Sequence, residues 1–168
     1  MYEMTTYPSP LGHITLACEG DCLAGLWLEG QKYYGAGILK EAKENSASAI
    51  FRDTKEWLDR YFAGRKPIPS ELPLAPAGSD FRQAVWHILC EIPYGKVITY
   101  GDIAKKMAAQ MNIKSMSAQA VGGAVGHNPI SIIIPCHRVV GTNGSLTGYA
   151  GGIDKKQKLL TLESGGNR

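Results

Sequence analysis

A chain of 168 residues can fold as one packed domain or as two small ones sharing an interface. Its apolar (44%) and charged (20%) fractions are those of an ordinary water-soluble globular protein, and no apolar run approaches the ~20 residues of a membrane-spanning helix. The net charge of +3 is unevenly placed: residues 1–78 carry 8 Lys+Arg against 10 Asp+Glu, residues 79–168 carry 10 against 5, and a basic C-terminal half points to a polyanion partner.

Residues 4–29 predict an antiparallel meander with one covered face. Thr5-Thr6-Tyr7 leads into the turn residues Pro8-Ser9-Pro10-Leu11-Gly12, and His13 to Cys18 alternates. Glu19-Gly20-Asp21 turns the chain into the more apolar Leu23 to Leu28. His13 falls on the polar side of its strand and is read as solvated. Residues 31–46 carry no clear period. Ser48 to Phe62 predicts a helix, with Phe51, Leu58, Tyr61 and Phe62 at helical spacing, Ile50 and Trp57 widening the stripe, and Gly64 at the C-cap. Lys66 to Gly78 holds four prolines and no periodicity, and is read as a linker. The expected domains are therefore 1–78 and 79–168.

In the second half Ser79 can cap a helix through Phe81, Val85, Trp86, Leu89 and Cys90. Lys96-Val97-Ile98 is extended. Thr99-Tyr100-Gly101-Asp102 forms a capping box, with Asp for the usual Glu, and opens a helix through Ile103, Ala104 and Met107. After a connector from Gln110 to Met116, a second short helix begins near Ser117 and runs Ala118-Gln119-Ala120-Val121-Gly122-Gly123-Ala124-Val125-Gly126. The pair predicts a loose helix-turn-helix. Glycines in a helix cost about 1 kcal/mol each relative to alanine. They permit either close packing on a neighbouring helix or close approach to something bulky such as a DNA groove, and the pattern alone supports both.

Asn128-Pro129 ends that helix. Ile132-Ile133-Ile134-Pro135-Cys136-His137-Arg138-Val139-Val140 predicts a buried strand that delivers a thiol to a pocket mouth. A lone cysteine is more often a small buried hydrophobe, but an imidazole and a guanidinium directly after it favour a reactive site. Neighbours in an extended segment start on opposite faces, so a water- or bend-mediated relay from His137, oriented by a carboxylate, is expected rather than direct contact. Cys18, Cys22, Cys90 and Cys136 show no CxxC and no metal-ligand spacing. Without a visible export signal they are read as reduced thiols of a cytoplasmic protein, with no metal site. Asn143-Gly144 marks a turn, and Thr147-Gly148-Tyr149-Ala150-Gly151-Gly152 is a glycine-rich loop without phosphate-cradle spacing, read as a flexible wall over a planar ligand. Asp154 to Glu163 is a last helix, with Lys155, Lys156 and Lys158 placed outward and Leu159, Leu160 and Leu162 packing.

Asn128-Pro129, Ile134-Pro135-Cys136-His137-Arg138-Val139, Thr147 to Gly152 and Glu163 together closely resemble the O6-alkylguanine-DNA alkyltransferases. The resemblance covers 79–164, and more loosely the first half. It implies an α+β fold: an N-terminal ribonuclease-H-like antiparallel sheet plus helix, then a C-terminal helical domain with a helix-turn-helix and the active-site cysteine strand. It implies DNA repair by irreversible, single-turnover transfer of an alkyl group from O6 of guanine to Cys136, without cofactor, by a monomer. The helix-turn-helix would enter the minor groove of double-stranded DNA and flip the lesion out, with Ser117, Ala118, Gln119, Ala120, Gly122 and Gly123 as the DNA-binding face. By the same matching, His137 with Glu163 forms the water-bridged relay and Asn128 organises the cysteine segment. Tyr100 donates to the purine ring, and Pro135, Val139, Tyr149, Ala150 and Gly151 line the substrate pocket. Arg138 would tie the two halves together. One departure stands out: Gln119 occupies the position where well-known members carry an intercalating arginine. A damage sensor that binds without efficient transfer, a helix-turn-helix regulator and a Cys-His hydrolase each leave part of this pattern unused.

Overall fold

The computed structural model describes residues 1–165. Strands Tyr2–Ser9 (β1), Gly12–Glu19 (β2) and Cys22–Leu28 (β3) form the expected antiparallel meander, with Thr5 opposite Leu16 and Leu16 opposite Leu26. A short fourth strand, Lys43–Glu44 (β4), joins parallel to β1, giving the order β3-β2-β1-β4. Helix Ala49–Phe62 (α1) follows Ser48 and turns off at Gly64, whose φ of 78° suits a residue without Cβ. Its Phe51, Trp57, Leu58 and Tyr61 join Leu16, Leu23, Leu26 and Leu28 in the main core.

The meander has both faces covered, not one. Residues 30–42 fold back across the second face, where Ile38 and Leu39 pack on Ala17, Ala24 and Trp27. The nearly unbroken apolar run of β3 is the corresponding signature, because a strand with one wet face alternates.

The proline-rich stretch is ordered against the sheet. Leu23 N donates to Pro73 O (2.9 Å) and Ala75 N to Leu23 O (2.8 Å). Further along the same edge, Leu26 N donates to Pro129 O (2.8 Å) and Ser131 N to Leu26 O (3.0 Å). The outer edge of β3, which would otherwise be a row of unpaired peptide groups, thus holds the segment leading to Cys136.

Beyond the linker come helices Asp80–Cys90 (α2), Tyr100–Met111 (α3) and Ala118–Gly126 (α4). Ser79 caps α2 by accepting from Arg82 N, and Thr99 and Asp102 form the expected box at α3. Ser117 caps α4 by accepting from Gln119 N and Ala120 N. Helix α4 packs on α2 and α3 through Val121, Ala124 and Val125, and Trp86 Nε1 donates to Ala124 O (2.8 Å). Gly122, Gly123 and Gly126 have nothing within 4 Å of an added Cβ. The glycines therefore do not serve packing on a neighbouring helix; they leave an open face.

The stretch from Ile132 to Val140 is not the strand expected of it. Only Val139–Val140 (β6) is extended, pairing parallel with Ile98–Thr99 (β5). Ile133 N bonds Ser131 O (2.8 Å) across Ile132, whose φ is 71°, a turn of the rare and strained hand. Cys136 N bonds Ile134 O (2.8 Å) across Pro135 (φ −81°, ψ 64°), an inverse γ-turn, and Cys136–Arg138 form a 3₁₀ turn. The isoleucines are buried as expected, but tertiary packing supplies that burial and local turns satisfy the backbone. Helix Ile153–Glu163 (α5) closes the fold.

Candidate active site

Asn128 shapes the cysteine segment from inside. Its Nδ2 donates to Ile130 O (3.3 Å) and Ile134 O (2.8 Å), while its Oδ1 accepts from Ile130 N (2.9 Å). Three bonds from one buried amide bracket the Ile132 turn and fix Ile134, where the Pro135 turn begins. A carboxamide alone carries both donor and acceptor in that span, which is why this position cannot be a carboxylate. The turn leaves Cys136 at 4% exposure.

His137 and Glu163 come together, 26 residues apart in sequence: Nε2 lies 2.5 Å from Oε2. Arg138 Nε donates to Glu163 Oε1 (2.7 Å) and its Nη2 to Oε2 (3.2 Å), and its Nη1 donates to Ile92 O (2.6 Å). Tyr61 OH donates to the same carboxylate (2.5 Å), as does Gly95 N (3.2 Å). Burial pushes the Glu163 carboxyl up, but its bonds to His137 and Arg138 and the Arg138 charge more than reverse this and hold it well below the usual range. Burial pushes His137 down, and Glu163 only partly offsets this. The two shifts cannot both rest on a His137 cation. Arg138 is a permanent charge that already neutralises Glu163, so the carboxylate is ionised and the imidazole neutral. Facing an ionised acceptor, Nε2 must carry the ring proton. That leaves Nδ1 as a bare lone pair, buried and without a hydrogen-bond partner among the described residues.

Arg138 does not tie the halves together, contrary to expectation. Its partners Glu163, Ile92 and the Tyr94 ring all belong to the second half. At Glu163 the contact from the first half is made instead by Tyr61 on α1.

Lys156 is also misplaced by periodicity. It was expected outward with Lys155 and Lys158, yet it is fully buried, donating to Val139 O and to Thr147 O (2.9 Å). Lys156, Leu159, Leu160 and Glu163 lie on one face of α5, and a lysine on an apolar stripe was the available signal. Desolvation lowers its pKa to about 8, and a negative charge on Cys136 acts the other way. Burial pushes the Cys136 thiol up, against the polar groups of Asn128 and Ser131 and the Lys156 charge. At rest the sulfur keeps its proton.

Of the other expected site residues, Tyr100 OH donates to Thr147 O (3.1 Å), which fastens α3 to the glycine-rich loop. Tyr149 is buried with its hydroxyl unpartnered among the described residues. Gly148, Tyr149 and Ala150 face Gly122, Gly123 and Gly126 across a cleft of about 170 Å³. Gly151 lies behind that wall, where an added Cβ would strike Leu28 and Tyr149. Pro135 and Val139 are buried in the turn and in β6. Ser117, Ala118, Gln119, Ala120 and Gly123 are exposed and Gly122 half-buried, on the open side of α4. His13 is exposed, as read from the sequence. Among the described residues no group of His, Cys, Asp and Glu could hold a metal ion, and no helix is long and apolar enough to cross a membrane.

Residues 2–76 match the family described as 6-O-methylguanine DNA methyltransferase, ribonuclease-like domain, and residues 80–165 match its DNA binding domain. The methylated-DNA–protein-cysteine methyltransferase of Haemophilus influenzae is 42% identical over 159 residues, covering 95% of this chain and 84% of that relative. The Methanosarcina barkeri protein of the same name is 46% identical over 156 residues, 92% of each chain. Mycobacterium tuberculosis OGT, solved in complex with DNA, superposes with a TM-score of 0.84 at 40% identity, over 98% of this chain and 92% of that one. Two turns that present a cysteine, a histidine held by a buried glutamate, and both family domains in order lead to one conclusion: the chain belongs to the 6-O-methylguanine DNA methyltransferase family.

Proposed function

We propose that this protein repairs DNA by moving the alkyl group of O6-methylguanine onto Cys136, once per molecule, as a cytoplasmic monomer acting on double-stranded DNA. The observation that carries the proposal is the buried Cys136 segment backed by His137 and Glu163, near Tyr149, which lines a cleft on the glycine face of α4. Family membership supplies the substrate class. The boundary between domains 1–78 and 79–168 is supported by the family matches, which end at 76 and resume at 80.

His137 Nδ1 takes the thiol proton through a bridging water, and Glu163 steadies the imidazolium that forms. Lys156 places a positive charge where the sulfur becomes negative. The thiolate attacks the methyl carbon; the S–C bond forms as the C–O6 bond breaks, and the electron pair goes to O6 of the departing guanine. Tyr100, released from Thr147 O, donates to the purine ring, so the base leaves neutral. The proton His137 took from the thiol then replaces, through solvent, the one Tyr100 gave up, so the balance closes with no further reactant and the thioether does not revert. The exposed residues Ser117 to Ala120, with Gly122 and Gly123, meet the duplex, while Tyr149 and Ala150 hold the flipped base. Extruding a base costs a few kcal/mol, less where alkylation has weakened the pair.

Intact-mass measurement after incubation with a duplex containing O6-methylguanine tests this. One methyl adduct per chain, mapped to Cys136 and absent in Cys136→Ser, is expected. Repeated turnover with a free thiol recovered, or no adduct at all, refutes it.

A further inference from the structure

The first domain reaches the cleft at one point, the turn after β3. Lys32 N donates to Ala150 O (3.0 Å), fastening this turn to the glycine-rich loop across the cleft. Tyr33 follows with φ 56° and ψ 32°, a left-handed backbone that an ordinary residue rarely adopts. Its ring lies on that of His127, with centroids 4.1 Å apart and planes at 21°. His127 is fixed from its other side, Nδ1 to Gly123 O at 2.8 Å. Despite this contact Tyr33 stays 57% exposed. A large aromatic held in an unfavourable backbone, backed on one side by another ring and bare on the other, is arranged for presentation rather than for burial.

The cleft it borders has Gly122, Gly123 and Gly126 along one side and Tyr149 with Ala150 along the other. Its walls are thus small residues, with rings at the inner end and at the rim. Such a slot suits a planar heterocycle, and stacking on an aromatic is indifferent to which base it is. Exposed Lys32, next to Tyr33, suits a phosphate. His127 lies eight residues beyond Gln119, about 12 Å along the chain of α4. Tyr33 is therefore too far along to wedge the duplex where Gln119 does, and acts on a nucleotide already swung out.

We infer that Tyr33, backed by His127, is a stacking platform for the extruded nucleotide, with Lys32 beside it for the phosphate. The first domain then contributes directly to substrate capture as well as to scaffolding. The inference rests on the repair reading above and names a part of its substrate site.

Two readouts test it. The first is the fluorescence of 2-aminopurine placed opposite cytosine in a duplex, a weakened pair that is easily extruded. Stacking on Tyr33 quenches the freed base, so at saturating protein Tyr33→Ala gives emission at least threefold higher than wild type, and Tyr33→Phe restores the wild-type level. The second is the single-turnover methylation rate of Cys136 on O6-methylguanine duplex. Tyr33→Ala lowers it about tenfold, Tyr33→Phe stays within twofold of wild type, and Tyr33→Ala/His127→Ala is no slower than the slower single variant, because the two rings act as a unit. Thermal melts of each variant report the fold. Equal losses in Tyr33→Ala and Tyr33→Phe, or wild-type behaviour of both variants, overturn the platform. If wild type forms no adduct while emission still follows Tyr33, the transfer reading fails and the platform stands. If the adduct forms at a rate and emission independent of Tyr33, the platform alone fails.

Discussion

Tyr61→Phe removes one oxygen from a buried site and leaves the ring packing on Trp57 and Phe62 in place. That oxygen is the only side-chain donor to Glu163 from the first domain among the described residues. A hydrogen bond to a charged group is worth about 1.5–3 kcal/mol, and no cavity accompanies its loss. About 2 kcal/mol in a chain of this size corresponds to a melting point lower by roughly 4–8 °C. The pH dependence has a definite sign. Glu163 is held below its unfolded range, so the stability drawn from its ionisation is complete above about pH 4.3 and drains away as pH falls from there toward its low folded value. Wild-type stability should therefore fall from pH 7 to pH 3, whereas the gap between wild type and Tyr61→Phe, which depends on folded-state Glu163 alone, should persist at pH 3 and close only in stronger acid. Thermal denaturation followed by circular dichroism at pH 7 and pH 3 measures both. Tyr7→Phe serves as the control, since Tyr7 OH donates to Asp59 (2.6 Å) at a half-buried site and should cost less than half as much. A shift under 1 °C at neutral pH, or one no larger than the control's, refutes the reasoning.

Three further outcomes follow from the same geometry. Gly123→Ala, with nothing within 4 Å of the new methyl, should stabilise α4 by about 1 kcal/mol and raise the melting point about 2–4 °C; because the methyl stands on the open face, binding to duplex DNA should weaken at the same time, as read by fluorescence anisotropy. Lys156→Gln should slow Cys136 methylation at least tenfold. The wild-type rate should fall as pH rises past about 8, where the ammonium that favours the thiolate is lost, and the variant's profile should lack that limb. Gln119→Arg should tighten duplex binding severalfold and steepen the salt dependence by about one phosphate contact; unchanged affinity and methylation rate would remove the idea that Gln119 supports extrusion poorly.

The elements that announce themselves by period and cap were legible: the meander, α1 from its stripe, α2 and α3 from Ser79 and Thr99, and α4 from Ser117. Each of these is decided by residues within a few positions of one another. What was not legible depends on distant partners. The isoleucine run looks like a strand because β-branched residues favour extended backbone, yet Asn128 and the edge of β3 bend it into turns. Lys156 looks outward because its helix is rich in lysine, yet two carbonyls from β6 and the loop receive its charge. Glu163 came from family resemblance alone. Nothing in its neighbourhood marks it, since His137, Arg138 and Tyr61 reach it from 25 to 102 residues away. Residues 31–46 gave no period because they fold as short turns over the sheet, and their one aromatic that matters is displayed rather than packed.

The bareness of α4 has a consequence for where this protein can work. A helix that recognises a particular operator needs long amides, guanidinium groups or carboxylates to question the base edges. Here the outward residues are glycine and alanine, with Gln119 the one side chain able to ask anything. Such a surface accepts every stretch of the genome alike, so discrimination is deferred until a nucleotide has left the stack. For a molecule spent on its first success, patrolling without preference and judging only at the sulfur is the arrangement that wastes fewest copies.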